Sequence, residues 1–357
     1  MRDRSPDLVA AVLGEPARLL QLGIPEWDLL VRQARSADLL ARIAALLDKR
    51  ALLGRVPAGP RAALNAAQIL ASAQQDEVRR EVAHVSNALR SLSVPVVLLK
   101  GAAYLMAGLP SALGRTFTDV DVLVPRGRLA EVEAALMLAG WAMTPHSEYD
   151  QSYYRTWMHE LPPMQHVRRQ TILDVHHAIL PGTARLKPES SRLFSAAQPI
   201  PGLAGVHVLA SADMVLHSMS HLFHNDDLSH GLRDLSDIDL LLRHFGTNAG
   251  FWEQLVERAK DLDLLRPLYY GMHQAQRVLR TPVPAVTLQS SRTFAAPWPL
   301  RSAMDWLWSH ALRPPHPSTA GPLSAISSFA LYVRAHWLRM PPALLARHLL
   351  IKAAARH

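Results

Sequence analysis

The sequence predicts an α+β fold, with a small mixed-sheet core flanked by N- and C-terminal helical regions. Three observations carry this. Between Val94 and Val124 two apolar runs with strand character enclose a Lys-Gly turn and a short helical run. Thr171 to His176, TILDVH, reads as a further strand, short and apolar with an acid inside it. On both sides of these segments the apolar residues recur at helical spacing, punctuated by glycine and proline.

Taken in order, residues 1–74 read as helices over Leu8 to Leu20, Glu26 to Leu47 and Pro60 to Ala73. Gly23 and Pro25, then Gly54, Pro57 and Pro60, separate them. Gln74 to Leu92 forms a further helix, and the wholly apolar Val94 to Leu99 reads as a buried central strand. Lys100-Gly101 turns the chain into a helical run over Ala102 to Ala107, and the next strand carries Asp119 and Asp121. Leu129 to Ala139 is helical and ends at Gly140, a natural C-cap. Trp141 to Thr144 is a third strand, and Gln165 to Arg169 pairs with Thr171 to His176 as a hairpin. Beyond the Pro/Gly-rich stretch from Pro199 to Gly205 the chain reads as helical to its end, broken at Pro282, Pro284 and from Pro314 to Pro322. These limits divide the chain into an N-terminal helical region (1–74), an α/β core (75–200), a helical domain packing on it (201–290) and a basic C-terminal helical extension (291–357).

With 49% hydrophobic residues in 357, a sizeable core is available. The absence of cysteine excludes disulfides, thiolate zinc sites and a cysteine nucleophile. The N-terminus lacks the apolar core of a signal peptide, and no run of about eighteen apolar residues predicts a membrane span. A soluble cytoplasmic protein is the expectation. The net charge of +8 is carried mainly by scattered arginine, which is weak evidence for a nucleic-acid binder. The clearest basic cluster is C-terminal: Arg301 to His357 holds seven Lys or Arg against one acid, Asp305, with Trp306, Trp308 and Trp337 among them. Either an anionic partner or plain solvent can face it.

The chemistry is concentrated in Asp119 and Asp121. Residues two apart in a strand share a face, and two like charges on a half-buried surface repel. A divalent cation with oxygen ligands, magnesium foremost, compensates them economically. Asp237-Ile238-Asp239 repeats the pattern, but it lies among Leu232, Leu235, Ile238 and Leu242 at helical spacing. Residues two apart on a helix do not face each other, so that pair cannot chelate one ion. Asp174 is a further acid inside a short apolar strand, and His176 shares its face, while His177 points away. The Lys100-Gly101 turn ends a buried strand and opens a helix whose free N–H groups can bind an anion. Lys100 adds a point charge, and Arg115 offers a planar fork to phosphate oxygens or a salt bridge to one of the aspartates. His217, His221 and His224 stand at i, i+4 and i+7, a spacing that zinc sites can use, without the glutamate of H-E-x-x-H. Arg233 and Asp237 read as a helix-surface ion pair.

The succession of strand, Gly-turn, helix, D-x-D strand and later acidic strand resembles the DNA polymerase beta-like nucleotidyltransferase superfamily. More closely, LLKG…GR…TDVDVLV…LDVHHAIL is similar to a bacterial family usually labelled uncharacterised nucleotidyltransferases, over residues 78–242. The resemblance implies a polymerase beta-like core, magnesium (Mg2+) at Asp119 and Asp121, a third acidic position at Asp174 and phosphate binding around Gly101. It further implies transfer of an NMP group from an NTP donor to an acceptor, for which a small molecule or protein is expected before a nucleic acid. Lys100 and Arg115 would steady the triphosphate, and His176 would orient a carboxylate or touch substrate. The turn departs from the common Gly-Ser or Gly-Gly form, and Gly101 stands further from Asp119 than in compact members. Two rival expectations follow: a degenerate member that binds nucleotide or protein without chemistry, and a metal-dependent phosphohydrolase built on His217, His221 and His224.

Overall fold

The computed structural model describes residues 7–144 and 158–341. Four helices open the chain: α1 (Leu8–Gly14), α2 (Ile24–Ser36), α3 (Leu40–Lys49) and α4 (Ala58–Leu89). Strand β1 (Val96–Leu98), helix α5 (Lys100–Met106), strand β2 (Val120–Leu123) and helix α6 (Leu129–Leu138) follow. Next come β3 (Trp141–Met143), β4 (Met164–His166), β5 (Ile172–His176), α7 (Ser190–Ala196), β6 (Gln198–Pro199) and β7 (Val206–Val208). The rest is helical: α8 (Ser211–His224), α9 (Gly231–Phe245), α10 (Phe251–Asp261), α11 (Leu265–Leu279), α12 (Ala285–Ser291), α13 (Trp298–Ala311) and α14 (Pro322–Arg339). The fold is α+β, as the pattern predicts.

Seven strands form one mixed sheet in the order β3-β4-β5-β2-β1-β7-β6. β2 runs parallel to β5 and β1 parallel to β7, while the other neighbours are antiparallel. All three residues of β1 are buried, as expected of a central strand. Helices α4 and α6 pack against β2 and β3, and α8, α9, α10 and α11 pack on one another. The first helix returns to this second group, since α1 packs on α11 and Gln33 Nε2 donates to Ser318 Oγ at 2.9 Å.

Four sequence expectations need correction. The helix expected over Glu26 to Leu47 is interrupted: Asp38 takes a left-handed conformation (φ 55°) and Leu39 N donates back to Ala34 O at 2.8 Å. Aspartate tolerates that conformation better than most residues. The expected break at Gln74 does not exist, because α4 runs unbroken through it. Pro57 and Pro60 lie at its N-terminal end, where a missing N–H costs little, and neither Gly nor Pro occurs again before Leu89. Strands β6 and β7 were expected to be coil and helix. They have two and three residues, too short for any periodicity to register. Finally, Asp119 lies one residue before β2 rather than within it.

Among the described residues no helix is long and apolar enough to cross a membrane. Much of the basic C-terminal cluster is spent internally. Arg334 donates to Phe223 O at 2.7 Å beneath the rings of Tyr270 and the buried Trp308, and Arg339 pairs with Asp226. The basic residues beyond 341 lie outside the described residues.

Candidate active site

The parallel pairing of β2 with β5 places Asp121 directly beside Asp174. His176 follows Asp174 by two, so strand alternation turns Asp121, Asp174 and His176 toward one face, and Asp119, just before β2, is close enough to feel the charges of Asp121 and Lys100. Strand β1 delivers Lys100 to the same place. Leu99 N donates to Asp121 O at 3.0 Å, and Lys100 then takes a left-handed backbone (φ 46°) as it opens α5. For a non-glycine residue this conformation costs about 1–2 kcal/mol. It sets the ammonium 2.8 Å from Asp121 Oδ1, which also receives His176 Nε2 at 3.0 Å.

A residue the sequence did not single out completes the group. His176 Nδ1 lies 3.0 Å from Glu160 Oε2, so the imidazole bridges Glu160 and Asp121. Glu160 reaches this face through a bulge. Met164 pairs with Leu173, but Leu161 N donates to Val175 O and Glu160 bridges His176, leaving Pro162 and Pro163 opposite Asp174 alone. A one-residue slip turns a side chain to the opposite face, and bulges do this beside functional sites. Without it Glu160 would point away from the carboxylates. The signal in the sequence is the Pro-Pro pair, which cannot donate to a regular ladder.

The electrostatics divide the three aspartates. Burial disfavours the charge on Asp121, but Lys100 and His176 outweigh it and hold its carboxyl well below the ordinary range. Asp119 is raised by burial and by the charge of Asp121. Asp174 is pushed up to about 7, by burial first and then by Asp121, against the opposing charge of His176. Its Oδ1 is buried and has no hydrogen-bond partner among the described residues. Burial also opposes charge on His176, yet Glu160 and Asp121 on either side raise its pKa.

The raised pKa of Asp174 has a consequence for stability. An unfolded aspartate titrates near 3.9, so between about pH 4 and 7 the folded chain binds the extra proton. Stability from this group is full below the lower value and is lost as pH rises toward 7. Urea denaturation of metal-free protein across this range should therefore show a decline that Asp174→Asn removes. Identical pH profiles for the two proteins would contradict the assignment.

Gly101 and Arg115 meet, but not at the carboxylates. A Cβ on Gly101 would overlap the Arg115 guanidinium, 2.8 Å from Cζ, and approach Phe117 Cε1 at 2.9 Å. The glycine makes room for the arginine behind it. Arg115 lies near the rings of Tyr104 and Phe117 and donates from Nε to Asp237 Oδ2 at 3.0 Å, rather than pairing with Asp119 or Asp121. Arg42 holds the other oxygen of Asp237 at 2.7 Å and donates to Ser111 O at 2.5 Å. The expected surface pair of Arg233 with Asp237 is therefore replaced. Arg233 bonds Asp234, and Asp237 is a buried anion between two buried arginines. Asp239, as helix geometry requires, points elsewhere and meets Arg243 and Thr281.

Helix α8 is laid against α5, with Tyr104 Oη 2.6 Å from Ser218 Oγ. His217 and His221 lie where the charges of Lys100, His176 and Asp121 are felt. Burial, then Lys100, lowers His217 to about 3, and His221 is held well below its usual value for the same reasons. His224 belongs elsewhere: its Nδ1 bonds Ser220 O, and burial and Arg334 lower it to about 4. The three histidines do not gather into a metal site. Among the described residues the group with metal-ligand spacing is His159, Glu160 and His176. His177 N donates to His159 O at 2.8 Å, in keeping with a structural role.

Comparison with known proteins adds one result. A family model described as uncharacterised nucleotidyltransferase matches residues 25–280, from α2 through α11 and the whole sheet between them. No curated protein matches the chain.

Proposed function

The chain belongs to the uncharacterised nucleotidyltransferase family, and on that premise we propose that it moves an NMP group from an NTP to an acceptor hydroxyl or phosphate, with magnesium. The observation that carries this reading is the pairing of Asp121 with Asp174 across parallel strands, with Asp119 beside them. The residues fit a hard cation. Three carboxylates would supply oxygen ligands, one buried Asp174 oxygen has no partner among the described residues, and burial together with the charge of Asp121 raises the pKa of Asp119 and Asp174. When bound, the cation would neutralise donor phosphate oxygens and the charge gathering on pyrophosphate.

The acceptor oxygen attacks the α-phosphorus, the α–β bridging P–O bond breaks, and pyrophosphate leaves. Asp119 and Asp121 would hold the cation. Asp174 completes the site or takes the acceptor proton, a task suited to a carboxyl whose pKa lies near 7. His176 fixes the orientation of Asp121, and Lys100 adds positive charge for the triphosphate at the Gly101 turn. Arg115, spent on Asp237, supports that turn from behind. The scattered distribution of arginine along the sequence favours a small molecule or protein over a nucleic acid as acceptor.

Isothermal titration of ATP, GTP, CTP and UTP with magnesium tests the reading. One nucleotide should bind wild type in a magnesium-dependent manner and fail to bind Asp119→Ala/Asp121→Ala. Binding that survives the double substitution would move the donor site away from these carboxylates.

A further inference from the structure

We propose that His159, Glu160 and His176 form a second cation site, separate from the three aspartates, which takes a transition-metal ion such as Zn2+ in preference to magnesium. The inference stands independently of nucleotidyl transfer. One ligand atom from each residue lies within 4.8 Å of the other two. Two imidazoles and a carboxylate are the donors that zinc and its neighbours use, with metal–ligand bonds of about 2.0–2.2 Å. Magnesium instead demands near-octahedral oxygen coordination and keeps its waters.

Three further features support a built site. His159 Nδ1 is sealed from solvent and has no hydrogen-bond partner among the described residues. A buried imidazole nitrogen left bare is unusual, since buried polar atoms nearly always find partners. The rings of His159 and His176 lie with centroids 5.3 Å apart, so a cation between them can meet both. The outer support is also in place. A metal-binding histidine commonly donates its second ring N–H to a carboxylate, and His176 Nε2 lies 3.0 Å from Asp121 Oδ1 while Nδ1 faces Glu160.

Access and charge agree with this. Glu160 is about one-fifth exposed, which leaves the site open to solvent at that residue. Asp121, beside His176, adds negative charge that Lys100 partly offsets. The bulge at Pro162 and Pro163 brings Glu160 and His176 onto one face, so local backbone geometry that a regular strand would not adopt joins two of the three donors.

The test uses the whole protein loaded with one equivalent of Zn2+ and examined by X-ray absorption at the zinc edge. Wild type should show a nitrogen/oxygen shell with the outer scattering of two imidazoles. His159→Ala should retain one imidazole and bind zinc at least tenfold more weakly, and Glu160→Gln should weaken binding without loss of imidazole. Asp119→Ala should keep the wild-type spectrum, which separates this site from the magnesium reading. Circular dichroism establishes that each variant is folded, and the wild-type spectrum needs no variant at all. An all-oxygen shell, or failure to retain zinc, would overturn the proposal. So would a two-imidazole signal that survives His159→Ala unchanged and weakens in His217→Ala.

Discussion

Asp121→Asn is expected to lower pyrophosphate release from the cognate NTP by on the order of 10³-fold, the scale on which preorganised electrostatic groups act. Asparagine keeps the shape and one acceptor oxygen but removes the charge. That charge has two dependants, since Lys100 and His176 both point at Asp121 Oδ1. Without it they face each other as like charges, and the cation loses a ligand at the centre of the cluster. The effect should therefore fall on kcat and on magnesium dependence together. Steady-state assays at several magnesium concentrations check this. A rate within tenfold of wild type would remove Asp121 from the chemistry and favour a role in folding alone.

The second large effect concerns stability. Asp237→Ala should destabilise the protein by about 3–5 kcal/mol, the cost of leaving buried charge uncompensated. Asp237, Arg42 and Arg115 are all nearly inaccessible. Burial opposes the charge of Asp237, but Arg42 and Arg115 overcome it and keep its pKa below the ordinary value. Truncation would strand two guanidinium groups, one of which also fills the space behind Gly101. Against a typical total of 5–15 kcal/mol the loss is large. Urea denaturation measures it, and Asp234→Ala, on the same helix and less buried, is the control. A loss under about 1 kcal/mol would mean that the arginines find other partners or water.

How much of this was legible beforehand depends on the range of the interactions concerned. The mixed α/β core, the strand at Val96–Leu98, the hairpin before His176 and the helix ending before Gly140 follow from local pattern. Such patterns arise from contacts between residues a few positions apart. The face shared by Asp174 and His176 follows from strand alternation in the same way. The helical reading of Asp237-Ile238-Asp239 was sound, and its aspartates do diverge. The ion pair assigned to Asp237 was not. An i, i+4 rule sees only the helix itself, whereas Arg42 and Arg115 arrive from 195 and 122 residues away in the chain. Glu160 escaped notice because a bulge decides its direction, and strand periodicity assumes that there is none.

The residue types and their spacing along single elements are properties of the chain alone. They specify an α+β protein with two aspartates at and just before one strand, an acid and a histidine on another, and a lysine at a strand end. The meeting of Asp121 with Asp174 required the parallel pairing of β2 and β5. Glu160 reaches His176 because a double proline shifts one ladder by a residue. Arg115 lies behind Gly101 because a buried aspartate on α9 holds it there. Each of these placements joins residues distant in sequence, and such contacts form only when strand register and helix docking bring them together.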